Sequence, residues 1–441
     1  MIKRKINLSI LTLLCMLLGL NELKAQSDIS SPYSKYGIGK LNNDNTNIIS
    51  KNMGGIGYGI RSSFINPKNP ASYAAFDSLS FHFDAAVSGS VINLKDASYS
   101  STTNNGTVEY LTFGFPVTKW LRTSFGILPY SSVGYRISKD LTVMNSDRKY
   151  RQLFNGEGGL NRFYIGNAFK INDNFFLGFN AYYLFGNITH ERIIDFSGDL
   201  EDSKDMFFNS KVTNQIKINN FYFDLGIQGF IPLKKDLELG LGMVTSLGNN
   251  LNAKRDYFVY NYYLNSGNEV SIDTVTSKPQ QSGTIKLPLT IGGGISLEKK
   301  SNWMIGADLK WGNWKNYKTD WGSNSGDEYF DNSLQNSLTF SMGGYYLPDN
   351  RSIASFWKRS IYRFGFRYGG SYINISDKSV NEFGISLGAS FPYRKSKSSI
   401  NLGFEYGGLG KVVDNLVEET FFKFSVGISI QEKWFVKYKY R

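Results

Sequence analysis

The chain has 441 residues but only one cysteine and two histidines. Cys15 lies in an apolar N-terminal stretch, between Leu14 and Met16, which are not the small residues that flank a lipoprotein cysteine. If that stretch is removed, the mature chain has no cysteine, which excludes disulfides, thiol catalysis and cysteine-ligated metals. Two distant histidines, His82 and His190, do not form a metal site by themselves. The sequence therefore predicts no metal and no cofactor.

Long apolar runs are also missing after the N-terminus. No later stretch approaches the roughly 18 apolar residues that a membrane-spanning helix needs, and mean hydropathy is −0.29. The N-terminus itself has a basic start, Met1–Lys5, an apolar segment, Ile6–Leu20, and a plausible cleavage site at Ala25. These parts predict a signal peptide over residues 1–25, and the alternative is an N-terminal membrane anchor.

What the chain has in abundance is strict alternation of apolar and polar residues. A period of two predicts a strand whose two faces meet different surroundings. A soluble sandwich turns its polar face outward, whereas a membrane barrel turns its apolar face to lipid. The clearest example has Phe221, Phe223, Leu225, Ile227 and Ile231 on one face, and Tyr222, Asp224, Gly226 and Gln228 on the other. The pattern recurs near residues 362–369 and 422–431.

Composition decides in favour of the membrane barrel. Aromatic residues make up 15% of the chain, and glycine occurs 45 times. Aromatic girdles and curved, glycine-bearing strands are typical of such barrels. A barrel can also be polar on average, because each strand shows lipid only every second residue. We therefore predict an all-β fold, a transmembrane antiparallel β-barrel in the outer membrane of a Gram-negative bacterium, in contact with membrane lipid and lipopolysaccharide.

The positive charge does not indicate nucleic-acid binding. The formal net charge is +12. Removal of residues 1–25 takes away four basic residues and one acidic residue, which leaves 12 − 4 + 1 = +9. The remaining basic residues are scattered over short turns and form no single patch, so we predict no nucleic-acid partner.

The alternating segments predict about fourteen strands, an even number as bacterial barrels require. Short connections alternate with long ones, which assigns the short turns to the periplasm and the long loops to the outside. The 347–359 link is an exception, because its position is periplasmic although it is not short. The strands are predicted near residues 78–94, 104–117, 119–128, 160–171, 174–190, 216–231, 236–247, 285–298, 301–313, 334–346, 360–372, 382–393, 398–407 and 420–431.

The C-terminal end leaves an alternative open. Residues 432–441 alternate too, but one more strand would make the total odd. We therefore predict a barrel over residues 78–431 followed by a basic periplasmic tail over residues 432–441. The alternative is that a further strand lies near residues 133–145, where Val133, Tyr135 and Ile137 alternate.

The segment before the first strand carries the most specific motif. Its glycines permit unusual torsions, and its prolines stiffen a segment that cannot join a ladder. The asparagines can hydrogen-bond the local backbone. A phosphate-binding loop is excluded because no apolar strand precedes it and no helix pattern follows, whereas a plain glycine-rich linker stays open. The motif comprises Met53, Gly54, Gly55 and Gly57, and then Asn66, Pro67, Asn69, Pro70 and Ala71.

This motif resembles the N-terminal hatch of the long-chain fatty-acid transporter (FadL-type) superfamily. The resemblance implies a fourteen-stranded barrel whose lumen is plugged by a small N-terminal domain, here residues 26–77. It also implies that the third strand is kinked at Pro129, beside Tyr130, and opens a lateral gap towards the bilayer. Proline cannot donate to a β-ladder, so it marks an edge, a bulge or a kink. The alternative is that Pro129 simply begins an extracellular loop.

Catalysis has little support in the sequence. His82 lies two residues from Asp84 on the predicted lumen face of the first strand, with Ser80 and Ser88 on the same face. A Ser-His-acid hydrolase uses these residue types. At a spacing of two on one strand, however, they point alongside each other and form no relay. We predict that His82 and Asp84 belong to a polar network against the hatch, and that the chain is not an enzyme.

The resemblance leads to two main functional hypotheses. The first is passive uptake of small hydrophobic, fatty-acid-like molecules through the hatch-plugged lumen, which requires an apolar pocket of several hundred cubic ångströms. The alternative is a role without transport, since some barrels of this superfamily, such as the PorV type, anchor or shuttle secreted proteins. Protein partners would then bind the long loops or the C-terminal tail. A general polar pore is a third hypothesis, which a hatch filling the lumen argues against.

Overall fold

The structure is a computed structural model that describes residues 29–42, 46–145, 149–196, 208–234, 236–266, 268–300, 302–321, 334–349, 355–375, 378–393, 397–412 and 416–434. The predicted signal peptide lies outside these residues. Within them, no helix is long and apolar enough to cross a membrane.

Fourteen antiparallel strands form a closed barrel, as predicted. The ring closes where the last strand pairs with the first, from Glu418 opposite Lys95 to Lys433 opposite Ser80. We number the strands in chain order: β1 Ser80–Lys95, β2 Ser100–Pro116, β3 Leu121–Thr142, β4 Lys149–Lys170, β5 Phe175–Asp195, β6 Asn209–Lys234, β7 Leu237–Ser246, β8 Thr290–Lys299, β9 Trp303–Gly312, β10 Ser337–Tyr346, β11 Ile361–Ile375, β12 Lys378–Pro392, β13 Ser399–Leu409 and β14 Glu418–Lys433.

A hairpin stands outside this ring. Its strands, Asn249–Asn265 and Asn268–Leu287, pair with each other, and the first also pairs with β6 between Asn209 and Ile218. Strand β7 pairs directly with β8, so the hairpin is not part of the ring. The sequence predicted a loop over residues 248–284. The second strand is exposed over most of its length, and a strand in water on both faces has no alternation to reveal it.

Strands β3 and β4 are longer than predicted. Strand β3 continues past Pro129 to Thr142, and a register shift between Pro129 and Ser131 marks the irregularity. The alternation near residues 133–145 is therefore the upper half of β3 and not a separate strand. At the other end of the chain, β14 ends at Lys433, and residues 435–441 lie outside the described part.

The remaining elements are short. They are the 3₁₀ helices Pro32–Lys35, Pro70–Ala75 and Trp314–Asn316, the α-helices Ile48–Lys51 and Phe356–Arg359, and the two-residue strands Lys40–Leu41 and Lys318–Thr319.

The barrel has an apolar outer face and a polar inner face. On β6, Phe221 and Phe223 are 56% and 47% exposed, whereas Tyr222 and Asp224 are 4% and 3% exposed. The outer face matches what lipid requires, and the inner face packs against the N-terminal segment.

Candidate functional site: the hatch segment and the adjoining wall

Residues 29–77, which we call the hatch segment, pack against inward-facing residues of the barrel. Ile48, Met53, Ile56, Ile65 and Tyr73 are at most 1% exposed. The segment has little regular structure, so its backbone groups need partners other than a ladder. Those partners come from the hatch segment itself and from the wall.

The two halves of the predicted motif are hydrogen-bonded to each other. Asn66 Nδ2 donates to the Gly57 carbonyl at 2.8 Å, and Asn69 Nδ2 donates to the Tyr58 carbonyl at 2.8 Å. Lys68 Nζ donates to the Gly55 carbonyl at 2.5 Å. The asparagine side chains therefore satisfy carbonyls of the glycine-rich half.

One wall carboxylate accepts hydrogen bonds from both halves of the motif. Asp308 on β9 is 4% exposed. Its Oδ2 accepts from the Gly57 amide at 2.8 Å, from the Tyr58 amide at 3.2 Å and from Lys68 Nζ at 2.9 Å. Charge-assisted bonds of this kind are stronger than neutral ones. Asp308 is thus the main wall anchor of the motif, and sequence reasoning missed it.

Neutral wall side chains complete the anchoring of the motif. On β6, Gln228 Nε2 donates to the carbonyls of Tyr58 and Ile60, at 2.8 and 3.1 Å. On β5, Asn180 Nδ2 donates to the Pro67 carbonyl at 3.1 Å. On β8, Ser296 Oγ donates to the Gly59 carbonyl at 2.7 Å. The motif is therefore held from several sides of the barrel.

Wall glycines let the motif lie directly on the barrel backbone. A Cβ atom on Gly365 would overlap the backbone of Met53 and Gly54, and one on Gly178 would lie 2.5 Å from the Ala71 amide nitrogen. Gly54 itself has φ +71°, which favours glycine. Side chains at these wall positions would push the hatch segment away.

Four basic side chains of the hatch segment each meet a wall carboxylate. The acidic partners are at most 6% exposed. The pairs are Lys40 with Glu419 at 2.5 Å, Lys51 with Glu109, Arg61 with Glu238 at 2.7 Å, and Lys68 with Asp308 at 2.9 Å. Because the partners lie on β14, β2, β7 and β9, the pairs are distributed around the barrel.

Tyr33 adds a neutral contact near the Lys40 pair. Its hydroxyl donates to the Val417 carbonyl at 2.5 Å. Burial, together with the nearby Glu419 carboxylate, raises the pKa of Tyr33 to about 12. The hydroxyl therefore keeps the proton that it donates.

A cavity of about 170 Å³ lies between the hatch segment and the wall. Its charged lining is balanced: four basic and four acidic side chains, with five ion pairs among them. Besides Lys40–Glu419 and Lys51–Glu109, these are Lys423–Glu109 at 2.5 Å and Arg367 with Glu382 and Glu405 at 2.8 and 2.9 Å. Such a lining offers neither a large apolar pocket nor an excess of positive charge.

The wall is open between β2 and β3. The two strands pair only from Leu111 opposite Ile127 to Pro116 opposite Arg122. Above this stretch, the edge of β3 is met by the hatch segment: Lys40 and Leu41 pair with Ser132 and Ser131. We call the space between the upper halves of β2 and β3 the wall gap.

Pro129 and Tyr130 lie at the lower end of the wall gap. Pro129 lines the 170 Å³ cavity, and the Tyr130 carbonyl accepts from the Asn42 amide at 2.9 Å. The guanidinium of Arg162, a residue 1% exposed, lies 5.4 Å from the centre of the Tyr130 ring. Sequence reasoning missed Arg162 because nothing distinguishes it from other inward arginines. The register shift of β3 between Pro129 and Ser131 lies at this same position.

His82 and Asp84 do not share a relay in the described residues. Ser80 Oγ lies 2.8 Å from His82 Nε2, and the His82 ring stacks on Phe76 of the hatch segment at 4.3 Å. Asp84 instead accepts from Tyr110 at 3.0 Å and from Asn47 of the hatch segment at 3.3 Å. Both residues thus contact the hatch segment, but through separate partners.

His190 lies on β5 and faces inward. It is 2% exposed, and its Nδ1 lies 2.7 Å from the Tyr135 hydroxyl. Among the described residues, no group of three or more histidine, cysteine, aspartate or glutamate side chains is placed to hold a metal ion.

Several solved barrels have a similar fold. The Pseudomonas putida toluene transporter TodX matches with a TM-score of 0.56 and 13% identity over 89% of this chain and 100% of its own. The Ralstonia pickettii toluene transporter TbuX matches with a TM-score of 0.56 and 13% identity over 88% and 99%. A Pseudomonas aeruginosa FadL homologue matches with a TM-score of 0.54 and 13% identity over 88% and 98%.

At this level of identity the likeness shows the fold, which is the FadL-type fold that the motif implied. The neighbours themselves are named as toluene transporters and as a FadL homologue. No curated protein sequence matches the chain. A family model described as BamG matches residues 1–441, and the chain therefore belongs to the BamG family.

Proposed function

We propose that the protein is a closed barrel of the Gram-negative outer membrane that binds partner proteins and does not transport small molecules. The observation that carries this proposal is the fixed hatch segment, whose four basic side chains each meet a buried wall carboxylate. Separating such pairs leaves uncompensated buried charges, which is strongly unfavourable. A hatch segment held in this way favours a permanent plug.

The lining of the lumen also argues against a hydrophobic cargo. Uptake of an apolar molecule depends on moving apolar area from water into an apolar pocket. The 170 Å³ cavity carries eight charged groups, and a second cavity of about 70 Å³ is bordered by Lys68, Arg162 and Asp224. Both cavities are smaller than the uptake hypothesis requires, and charged side chains interrupt the apolar part of each lining. An anionic headgroup would also find each lysine of the larger cavity already paired.

A second candidate function is passive uptake of small hydrophobic molecules. Two observations favour it: the wall gap beside Pro129, and a fold shared with two toluene transporters. A molecule using this route would leave through the wall gap into the bilayer. The two candidates differ in whether anything passes through the protein.

The test combines an uptake measurement with gentle extraction. Cells producing this protein are compared with cells producing TodX for entry of labelled toluene and of a labelled fatty acid. We expect TodX to raise toluene entry and this protein to raise neither. Native mass spectrometry of the extracted protein should show it bound to another protein in a fixed ratio. Faster entry, or an extracted monomer carrying a hydrophobic ligand, would overturn the proposal.

A further inference from the structure

The upper half of β2 has an open edge. From Ser100 to Tyr110 it pairs with β1 on one side, but within the described residues no strand pairs with it on the β3 side. Ser30 of the hatch segment contacts side chains of this half-strand: its Oγ lies 3.3 Å from Asn105 Oδ1 and 3.3 Å from Thr103 Oγ1. In a closed barrel every edge is normally paired. Here a row of backbone donors and acceptors faces the wall gap.

This open edge lies at the height of the lipid-facing band. Asn104 on β2 is opposite Val91 on β1, which is in turn opposite Phe422 on β14. Val91 and Phe422 are 42% and 45% exposed on the outer face. Open strand edges do not face hydrocarbon, because lipid cannot satisfy the backbone groups. The wall gap therefore needs an occupant other than acyl chains.

The outer face of the same half-strand is unusually polar. Thr102, Asn104 and Gly106 alternate outward and are exposed, where a lipid-facing strand would carry apolar residues. Val108 is the exception, at 66% exposure. The polarity of this outer face is thus more typical of a surface in contact with protein than of a surface in contact with lipid.

A cleft of about 550 Å³ adjoins this edge. Its lining combines hydroxyl, amide and charged side chains from five elements. They include Ser101 and Thr103 of β2, Arg136 of β3, Asn155 and Glu157 of β4, and Thr189 of β5. This lining does not suit an apolar small molecule, but it suits a polar segment of extended chain.

We propose that the wall gap is a docking site for one extended segment of a partner membrane protein, which adds as a strand to the free edge of β2. Only a polypeptide backbone supplies alternating donors and acceptors at the spacing of a β-ladder. The segment would alternate, with polar side chains towards the 550 Å³ cleft and apolar ones towards lipid. This inference rests on the proposed function, since it assigns the surface by which a partner is bound.

The test is site-specific photo-cross-linking in intact cells. A photoreactive residue replaces Thr102, Asn104 or Gly106 in turn, where the side chain points outward and away from the hatch segment. The control carries it at Leu309, which is 50% exposed on the outer face of β9, a strand paired on both sides. Heat-modifiable migration on a gel shows that each variant has folded.

Strand addition predicts a specific pattern of products. Each step of two residues along β2 should move the cross-linked residue by two positions along one segment of one partner, and Leu309 should give no such product. Products within this chain, between its copies or with lipid only, products without the two-residue advance, or no product at all, would overturn the inference. If the cross-links lack this pattern but the partner protein still co-purifies, the proposed function stands and the partner docks on another surface.

Discussion

Replacing Asp308 by alanine should free the hatch motif from the wall. The Asp308 carboxylate accepts two backbone amides and pairs with Lys68, which is itself 8% exposed. Removing one partner of a buried pair costs about 3–5 kcal/mol, because the other charge stays buried and unpaired. We take about 4 kcal/mol as the loss in the free energy of opening the hatch segment. With about 1.4 kcal/mol for each factor of ten, opening becomes about a thousandfold more frequent.

Hydrogen exchange of the amides of residues 53–60, in the protein reconstituted in lipid, measures this directly. The matched control is Asp256→Ala, which removes a partner of Lys217 at 3.1 Å where the lysine side chain is 45% exposed. Asp256 is 8% exposed, but the partly exposed lysine can be hydrated when the carboxylate is removed, so no charge is left buried. The pair lies away from the hatch segment. Asp308→Ala should therefore accelerate exchange strongly, and Asp256→Ala should leave it unchanged.

A double variant separates charge from packing. In the double variant Lys68→Met with Asp308→Leu neither residue is charged, so no buried charge is left without a partner. Replacing a buried ion pair by apolar residues often changes stability very little. We expect slower exchange than in Asp308→Ala alone. If Asp308→Ala leaves the exchange of residues 53–60 as slow as in the native protein, the reasoning that places the anchor at Asp308 is refuted.

Two further substitutions test the packing and the outer face. Gly365→Val should displace the hatch segment and make it sensitive to added protease, because the new Cβ atom would overlap Gly54. Gly229→Val should leave the hatch segment resistant, because nothing lies within 4 Å of the added Cβ atom. Equal protease sensitivity of the two variants would contradict the proposed contact. Phe223→Lys on the lipid face should lower the free energy of unfolding from a bilayer by about 2–4 kcal/mol. Thr274→Lys on the outer hairpin should leave that free energy unchanged, and a chemical unfolding titration measures both.

The sequence predicts the barrel because lipid imposes a chemical difference between the two faces of each strand. On β6 this difference appears as Phe221 and Phe223 alternating with Tyr222 and Asp224. The hairpin over residues 249–287 was missed for the converse reason. Its second strand is exposed over most of its length and carries no period of two. On its first strand the buried positions include Arg255 as well as Leu251 and Ala253, so the inward face is not marked by polarity alone.

The site is predictable only in part. The hatch motif lies within one short segment of the chain. Its asparagines and glycines indicate an irregular backbone that is hydrogen-bonded by nearby side chains. Asp308 and Arg162 are single charged residues on inward faces, and only strand register places Asp308 against Gly57. The free edge of β2 was also missed, because a strand near Asn104 gives the same pattern whether or not a neighbour pairs with it.

Charge balance and the free edge of β2 favour the same function. Transport through the wall gap would require the cargo to cross a cavity where Glu109 is bound by both Lys51 and Lys423. An apolar cargo gains nothing from these groups, and an anionic one must compete with carboxylates already in place. A partner strand on β2 needs no such passage, since the edge of β2 between Ser100 and Tyr110 faces the gap from the wall itself. The wall gap is therefore better suited to holding a polypeptide than to releasing a small molecule.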